Sequence, residues 1–137
     1  MIRILFIVFL STLYCSCSAQ KNNKTTENAT TVSIINLISN PLKYHNKKII
    51  LNGYLKFEHE GNAIYLNKED YLSTNSINAI YIRISDTKII ENGFNYSDDF
   101  SGMIQGVFDK NDKGHLGLFS GSINRIEGII LNELRTE

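Results

Sequence analysis

The chain has 137 residues, and its 14 basic and 14 acidic side chains give a formal net charge of 0 at pH 7 with the three histidines neutral. A near-neutral chain of mixed charge lacks the basic face that nucleic acids require, so nucleic-acid binding is not expected. Both cysteines, Cys15 and Cys17, lie near the N-terminus. The remainder of the chain therefore has no disulfide and no thiol chemistry.

Residues 1–18 have the pattern of a bacterial export signal. Arg3 supplies a positive charge, Ile4 to Leu10 form an unbroken apolar run, and a small polar region follows up to Ala19. The apolar run is shorter than the roughly 20 residues that a membrane-spanning helix needs. The sequence therefore predicts an exported protein whose mature part lies outside the cytoplasm.

Two cleavage outcomes remain open for this signal. Tyr14-Cys15-Ser16-Cys17 resembles a bacterial lipobox, in which the cysteine after a small residue receives the lipid, although Tyr14 replaces the usual aliphatic residue. Alternatively, Ala19 precedes an ordinary cut, and the protein is released into the periplasm. Residues 19–31 are rich in Asn, Lys and Thr, which predicts a flexible tether and favours an outer- or inner-membrane lipoprotein modified at Cys17.

Residues 32–132 are the predicted domain, of a size that suits one small core. It begins with a short helix, because Ser33 is a good N-cap and Val32 before it can pack against Leu37. The helix is expected to stop at Asn40-Pro41, since the residue before a proline is pushed away from helical angles.

From Lys48 the spacing of apolar residues changes to two, which predicts β-strands. The five predicted strands are Lys48–Glu58, Ala63–Leu66, Asn78–Ile84, Gly102–Asp109 and Ser122–Leu131. The polar turn 58–62 joins the first two strands, 67–77 is predicted as a loop, and one helical turn is predicted around Thr87–Glu91. Leu118-Phe119 is predicted as a short strand piece. A bulge is expected near Gly128, where the apolar spacing is irregular.

Five strands, with a helical segment between the third and the fourth, predict a mainly β fold: a small five-stranded Greek-key (OB-like) barrel with a short N-terminal helix. The domain also resembles an uncharacterised family of small exported bacterial (Bacteroidota-like) OB-like proteins and lipoproteins. The motifs that carry this resemblance are Asn40-Pro41 with Tyr44, Gly61-Asn62-Ala63-Ile64-Tyr65-Leu66, Glu69-Asp70-Tyr71, Gly106-Val107-Phe108-Asp109 and the run from Gly114 to Ile123. The resemblance implies the fold and the export, and it implies no particular chemistry.

Two elements are candidates for binding a ligand. Tyr54 and Tyr81 fall at outward-facing positions of their strands, from which OB-folds stack bases or sugars. Alternatively, these tyrosines cover part of a core under loops. The run from Gly114 to Ser122 combines three glycines with His115, Ser120 and Ser122, which together could approach a ligand closely. Its alternative is a tight, bulged connection, and because it lacks G-x-S-x-G we do not expect Ser120 to be a nucleophile.

Two other runs have part of a metal-binding pattern. The run 109–120 has Asp, Asn and Gly at positions 1, 3 and 6 of a calcium loop, but Lys113 and Ser120 occupy positions 5 and 12, where the motif needs an oxygen-rich residue and a glutamate. It is therefore predicted to be a hairpin loop. Glu58-His59-Glu60 is predicted to be a solvated turn, because adjacent residues at a strand end point to opposite faces. Neither a metal nor a cofactor is expected.

The sequence leaves three functions open. The first is a non-catalytic exported or lipid-anchored binding or accessory module for an unknown protein or saccharide. The second is a small envelope hydrolase or metal-dependent enzyme in which His115 works with carboxylates of neighbouring loops. The third is an inhibitor or immunity-type protein that binds another exported protein. We expect a monomer whose only contact with a membrane is a lipid on Cys17.

Overall fold

The computed structural model describes residues 28–91, 93–94 and 99–132. The predicted export signal, Cys17 and most of the predicted tether lie outside the described residues. Within the described part of the chain, every helix is too short or too polar to cross a bilayer.

The described residues form six strands, four short α-helices and two 3-10 turns. The strands are β1 (Thr30–Val32), β2 (Lys48–Lys56), β3 (Ala63–Tyr65), β4 (Ala79–Ile82), β5 (Asp99–Asp109) and β6 (Ser122–Asn132). The helices are α1 (Ile34–Ser39), α2 (Pro41–Tyr44), α3 (Lys68–Leu72) and α4 (Asp86–Glu91), and the 3-10 turns are Ser76–Asn78 and His115–Gly117.

Strands β2 to β6 close into a barrel. Strand β3 pairs antiparallel with β2 and β4, β4 pairs in parallel with β6, and β6 pairs antiparallel with β5. Strand β5 completes the ring by pairing along β2 from Lys48↔Val107 to Lys56↔Asp99. This confirms the predicted mainly β, five-stranded OB-like barrel, with α1 as its short N-terminal helix.

Two glycines allow the barrel strands to approach one another closely. Gly53 of β2 pairs with Gly102 of β5. A Cβ atom on Gly53 would lie 2.4 Å from the carbonyl oxygen of Tyr65, and one on Gly102 would lie 2.4 Å from the carbonyl oxygen of Ile130. Glycine within these two strands thus marks a close approach of neighbouring backbones.

Regular structure is present before Val32, where the domain is predicted to start. Strand β1 pairs in parallel with Ile49–Leu51 of β2, so Thr30 and Thr31 belong to a strand and not to the flexible tether. This stretch of β2 pairs with β5 on one side only, because β3 begins to pair at Tyr54. The open edge offers backbone groups that need partners, and β-branched threonines favour the extended conformation.

Two further segments differ from their predictions. Residues 67–77, predicted as a loop, contain α3, whose N-terminus is capped by Asn67: its Oδ1 accepts a hydrogen bond from the Asp70 N–H at 2.8 Å. Helix α3 is too short to show an apolar period. Leu118-Phe119, predicted as a strand piece, instead follows the 3-10 turn His115–Gly117.

The predicted irregularity of the last strand is confirmed. Gln105 pairs with Gly128 whereas Val107 pairs with Asn124, so residues 125–127 of β6 bulge opposite a single residue of β5. Arg125 in this bulge has a φ of 47°.

The barrel has apolar residues on both of its faces. The main core fills the interior of the barrel. It also includes Val32 of β1, Ile34 and Leu37 of α1, and Ile89 of α4. A smaller cluster lies on the outer face of β2, β3 and β4, and its buried members are Tyr54, Ala63, Tyr65, Ala79 and Phe119. This outer cluster forms the floor of the candidate site.

Candidate binding cleft

The predicted binding tyrosine Tyr54 is covered by protein. It lies on the outer face of β2, as its position in the strand predicts, but it is only 4 % exposed. The ring of Tyr71 from α3 packs on it with the centroids 5.6 Å apart, and Lys68 Nζ lies 5.9 Å from its ring centroid. Tyr54 therefore supports the floor of the outer cluster and does not offer an open ring face to a ligand.

A cleft of about 440 Å³ opens beside this outer cluster. Three segments surround it: the β2–β3 turn, the chain from α3 to the first 3-10 turn, and the loop between β5 and β6. Its lining residues are Glu58, Glu60, Gly61, Tyr65, Tyr71, Leu72, Thr74, Ser76, His115, Leu118 and Phe119. A volume of this size is within the range that small ligands or single side chains of a partner occupy.

Hydrogen bonds fix one wall of the cleft. Tyr71 Oη donates to Glu58 Oε1 at 2.6 Å, which ties α3 to the β2–β3 turn. The ring of Tyr71 also packs edge-on against Tyr65, with the centroids 5.4 Å apart. Burial raises the pKa of the Tyr65 phenol; its hydrogen bond with Ser76 opposes this shift, and the Glu58 charge adds to it. The Tyr65 phenol therefore remains a neutral hydrogen-bonding group at physiological pH.

Among the described residues that the sequence predicts to bind a ligand, His115 alone lines the cleft. Its Nε2 lies 3.8 Å from Glu60 Oε2 of the β2–β3 turn. Both side chains are accessible, so the pair can face a ligand. Sequence reasoning placed Glu60 in a solvated turn, and the contact with His115 could not be foreseen because the two residues lie on different loops.

An acidic residue that sequence reasoning missed holds the β5–β6 loop against the barrel. Arg83, just after β4, donates to both Asp112 carboxylate oxygens, from Nε at 2.6 Å and from a terminal nitrogen at 2.7 Å. Ser122 Oγ donates to Asp112 at 2.9 Å, and the Gly114 N–H donates to it at 3.1 Å. Chiefly because of the Arg83 hydrogen bonds, the pKa of Asp112 falls from 3.8 to about 2, and the same pairing raises the pKa of Arg83.

The remaining predicted site residues anchor this loop. Ser122 is fully buried and hydrogen-bonded to Asp112. Ser120 Oγ donates to the Ile77 carbonyl oxygen at 2.5 Å, which joins the loop to the first 3-10 turn. Tyr81 packs against Phe119, with the ring centroids 5.4 Å apart, and lies under Gly114. Tyr81, Ser120 and Ser122 thus position the cleft wall and are not among its lining residues.

The described residues contain no group of three or more His, Cys, Asp or Glu side chains that is placed to hold a metal ion. Side-chain and backbone oxygen atoms of the predicted hairpin loop after β5 accept hydrogen bonds from the protein itself. Asp109 Oδ1 accepts from the Asn111 N–H at 2.8 Å, and Lys113 Nζ donates to the Ser120 carbonyl oxygen at 2.6 Å. These bonds stabilise a turn.

We expect Tyr71→Phe to lower the free energy of unfolding by about 1–2 kcal/mol, because it removes a partly buried hydrogen bond to a carboxylate. Urea unfolding measures the change. Tyr44→Phe is a suitable control, since Tyr44 is a half-buried tyrosine that packs on the main core. Equal stability of Tyr71→Phe and the unchanged protein would contradict the role of this hydrogen bond in the cleft wall.

The architecture and the cleft define a class: a small, mainly β, OB-like barrel with a cleft between its β2–β3 turn and its β5–β6 loop. Comparisons with protein-family models, curated proteins and solved structures find no match to this chain. The resemblance to a family of exported bacterial proteins therefore stays a prediction from the sequence.

Proposed function

We propose that the protein is a non-catalytic binding or accessory module, exported or lipid-anchored, that takes its ligand in this cleft. One observation carries the proposal: the cleft lies where the β2–β3 turn meets the β5–β6 loop. These elements correspond to the face and loops with which OB-folds bind extended ligands. The same side of the barrel is thus available here for binding.

The anchoring of the cleft walls supports a binding role. The bonds of Asp112, Ser120 and Tyr71 tie the three wall segments to the barrel and to one another. A site that is already ordered loses less conformational entropy when a ligand binds, so more of the contact energy appears as affinity. The accessible polar groups of Glu60 and His115 would orient the ligand.

The proposal is tested by recording amide NMR spectra of the full chain while N-acetylglucosamine oligomers or short synthetic peptides are added. We expect at least one probe to shift amides of Glu60, His115 and Leu118 in a saturable manner. Amides of β1 and α4, which do not line the cleft, serve as the internal control. A set of probes that leaves all cleft amides unchanged, or that shifts only other surfaces, would overturn the proposal.

A second function, hydrolysis, is favoured by the position of His115 beside Glu60. The distance of 3.8 Å exceeds that of a good hydrogen bond, so a shared proton would have to pass through a water. Chromogenic esters and glycosides test this function. Turnover that is lost in His115→Ala would establish an enzyme, whereas the binding proposal expects no turnover from either protein.

The proposed lipid anchor has a separate test. Cells that produce the full chain are labelled with a palmitate analogue, and Cys17→Ser is compared with Cys15→Ser. We expect Cys17→Ser alone to abolish labelling, because Cys17 follows the small residue of the lipobox-like sequence. Undiminished labelling of Cys17→Ser would contradict the lipoprotein proposal and leave the cleft proposal untouched.

A further inference from the structure

The segments that surround the cleft carry four exposed aliphatic side chains. Leu72, Ile77, Leu116 and Leu118, here called the aliphatic rim, are between 53 % and 79 % exposed. Leu72 and Leu118 line the cleft, Leu116 belongs to the same turn as His115, and the Ile77 carbonyl is bonded to the loop by Ser120. Single exposed leucines are ordinary on protein surfaces, but several exposed aliphatic residues on the segments that surround one cleft favour an interaction site there.

The backbone at Leu116 strengthens this interpretation. Its φ of 53° lies in the left-handed region, which favours glycine or asparagine over leucine. The turn nevertheless presents an exposed leucine at this position. Strained backbone conformations of this kind concentrate at functional sites, where the surrounding structure holds them in place.

The aromatic residues of the cleft do not form a platform for a sugar ring. Tyr65 and Phe119 are only 6 % and 7 % exposed. The ring of Tyr71 packs against both Tyr54 and Tyr65. Stacking a flat ligand requires an open aromatic face, which the buried Tyr65 and Phe119 do not offer. The geometry therefore favours a ligand that offers aliphatic surface over a saccharide.

The charges in the cleft favour a cation. The acidic groups that line it are Glu58 and Glu60, and among its described lining residues there is no Lys or Arg. The amine of Lys56 lies 5.5 Å from the Tyr71 ring centroid, but Lys56 is a buried residue and does not line the cleft. The accessible Glu60 carboxylate would therefore attract an approaching positive group.

We propose that the ligand of this cleft is a segment of another polypeptide in which an aliphatic or aromatic side chain stands beside a lysine or arginine. The apolar side chain covers the aliphatic rim, and the cation meets Glu60. Long basic side chains suit such a site, because their methylene groups pack on apolar surface while the charged end reaches a carboxylate. This inference rests on the proposed binding function and specifies its ligand.

The test uses two pools of fluorescent synthetic peptides that share a fixed central leucine. The positions that flank the leucine carry lysine or arginine in one pool and glutamate in the other. Anisotropy titration of the full chain is expected to show the basic pool binding at least about tenfold more tightly, and raised salt should narrow the difference. Equal affinity of the two pools would overturn the inference.

Matched variants test the two proposed contacts separately, that of the apolar side chain with the aliphatic rim and that of the cation with Glu60. Leu116→Asn removes a rim side chain and suits the left-handed backbone, so it should weaken the basic pool by about tenfold without lowering the melting temperature. Leu42→Asn is its control, because Leu42 is 77 % exposed on α2, away from the cleft lining. Glu60→Gln should remove most of the preference for the basic pool, whereas Glu91→Gln on α4 should not.

The outcomes separate this inference from the proposed function. If N-acetylglucosamine oligomers shift the cleft amides while neither peptide pool binds, the binding function stands and the polypeptide ligand is wrong. If neither class of probe reaches the cleft, both proposals are wrong. Binding of the basic pool that Leu116→Asn and Glu60→Gln leave unchanged would place the peptide elsewhere and would also contradict the inference.

Discussion

Replacing Gly114 with alanine is expected to lower the free energy of unfolding by about 3 kcal/mol. Gly114 has a φ of 64° and a ψ of −156°, a combination that only glycine adopts readily. A Cβ atom on Gly114 would also lie 2.4 Å from Cγ of the Tyr81 ring. Both the backbone and the packing therefore oppose any side chain at this position.

Thermal unfolding measures this effect. For a domain of about 100 residues, 3 kcal/mol corresponds to a fall in melting temperature of roughly 12–24 °C. Affinity for any cleft ligand should fall as well, because Gly114 precedes His115 and Tyr81 packs against Phe119, and both His115 and Phe119 line the cleft. Substitution at Gly114 thus disturbs both the packing of the β5–β6 loop on Tyr81 and the lining of the cleft.

Two other glycines separate the cost of the backbone conformation from the cost of the close packing on Tyr81. Gly117 has a φ of 73°, and nothing lies within 4 Å of a Cβ built on it, so Gly117→Ala should show the backbone cost alone, about 1 kcal/mol. Gly128 has neither a positive φ nor a close neighbour, and Gly128→Ala should be nearly neutral. If Gly114→Ala were no less stable than Gly117→Ala, the close packing of Gly114 on Tyr81 would be wrong.

The barrel could be predicted from the sequence because its signals are local. Alternation in the segments of β2 and β4 identifies strands, and the irregular apolar spacing near Gly128 marks the bulge of β6. Strand β1 was missed because three residues are too few to show a period. Its partner, the open edge of β2, appears only once the pairing of β5 and β3 is known.

The cleft could not be predicted, because its walls come from segments that are distant in sequence. The position of Tyr54 on the outer face follows from the period of its strand, but its burial depends on Tyr71, which lies on a helix of one turn. His115 was identified through the unusual glycine content of its loop. Its neighbour Glu60 lies 55 residues earlier in the chain, and no local pattern connects the two.

Asp112 gives the second large effect, because it joins the β5–β6 loop to β4 and β6. Asp112→Asn keeps the size of the side chain but loses the charge that binds Arg83 in a two-point contact. It also weakens the acceptor for the buried Ser122 hydroxyl. We expect the free energy of unfolding to fall by about 2 kcal/mol, measured by urea unfolding at neutral pH.

Asp112→Asn should also lower the affinity of the protein for the cleft ligand, since Asp112 holds the loop that carries His115. Arg83→Gln removes the other partner of the ion pair, and its effect on the free energy of unfolding is compared with that of Asp112→Asn. The double variant should be less destabilised than the sum of the two single variants, because both remove one interaction. Strict additivity of the two single effects would show that Asp112 and Arg83 do not stabilise the protein through each other.

The pH dependence of Asp112 follows from the direction of its pKa shift. Folding lowers the pKa of this carboxyl from 3.8 to about 2, so its contribution is fully present well above pH 3.8 and is lost as the pH falls through about 2. The difference in urea midpoint between the unchanged protein and Asp112→Asn should be constant near neutral pH and should shrink between pH 4 and about 2. Glu127→Gln is the contrasting variant, because Lys48 and Gln105 also lower the pKa of Glu127, but on the open surface, where ion pairs contribute little. A difference for Asp112→Asn that persists unchanged down to about pH 2 would mean that the Asp112 charge does not hold the loop, and the rigid cleft wall would need another cause.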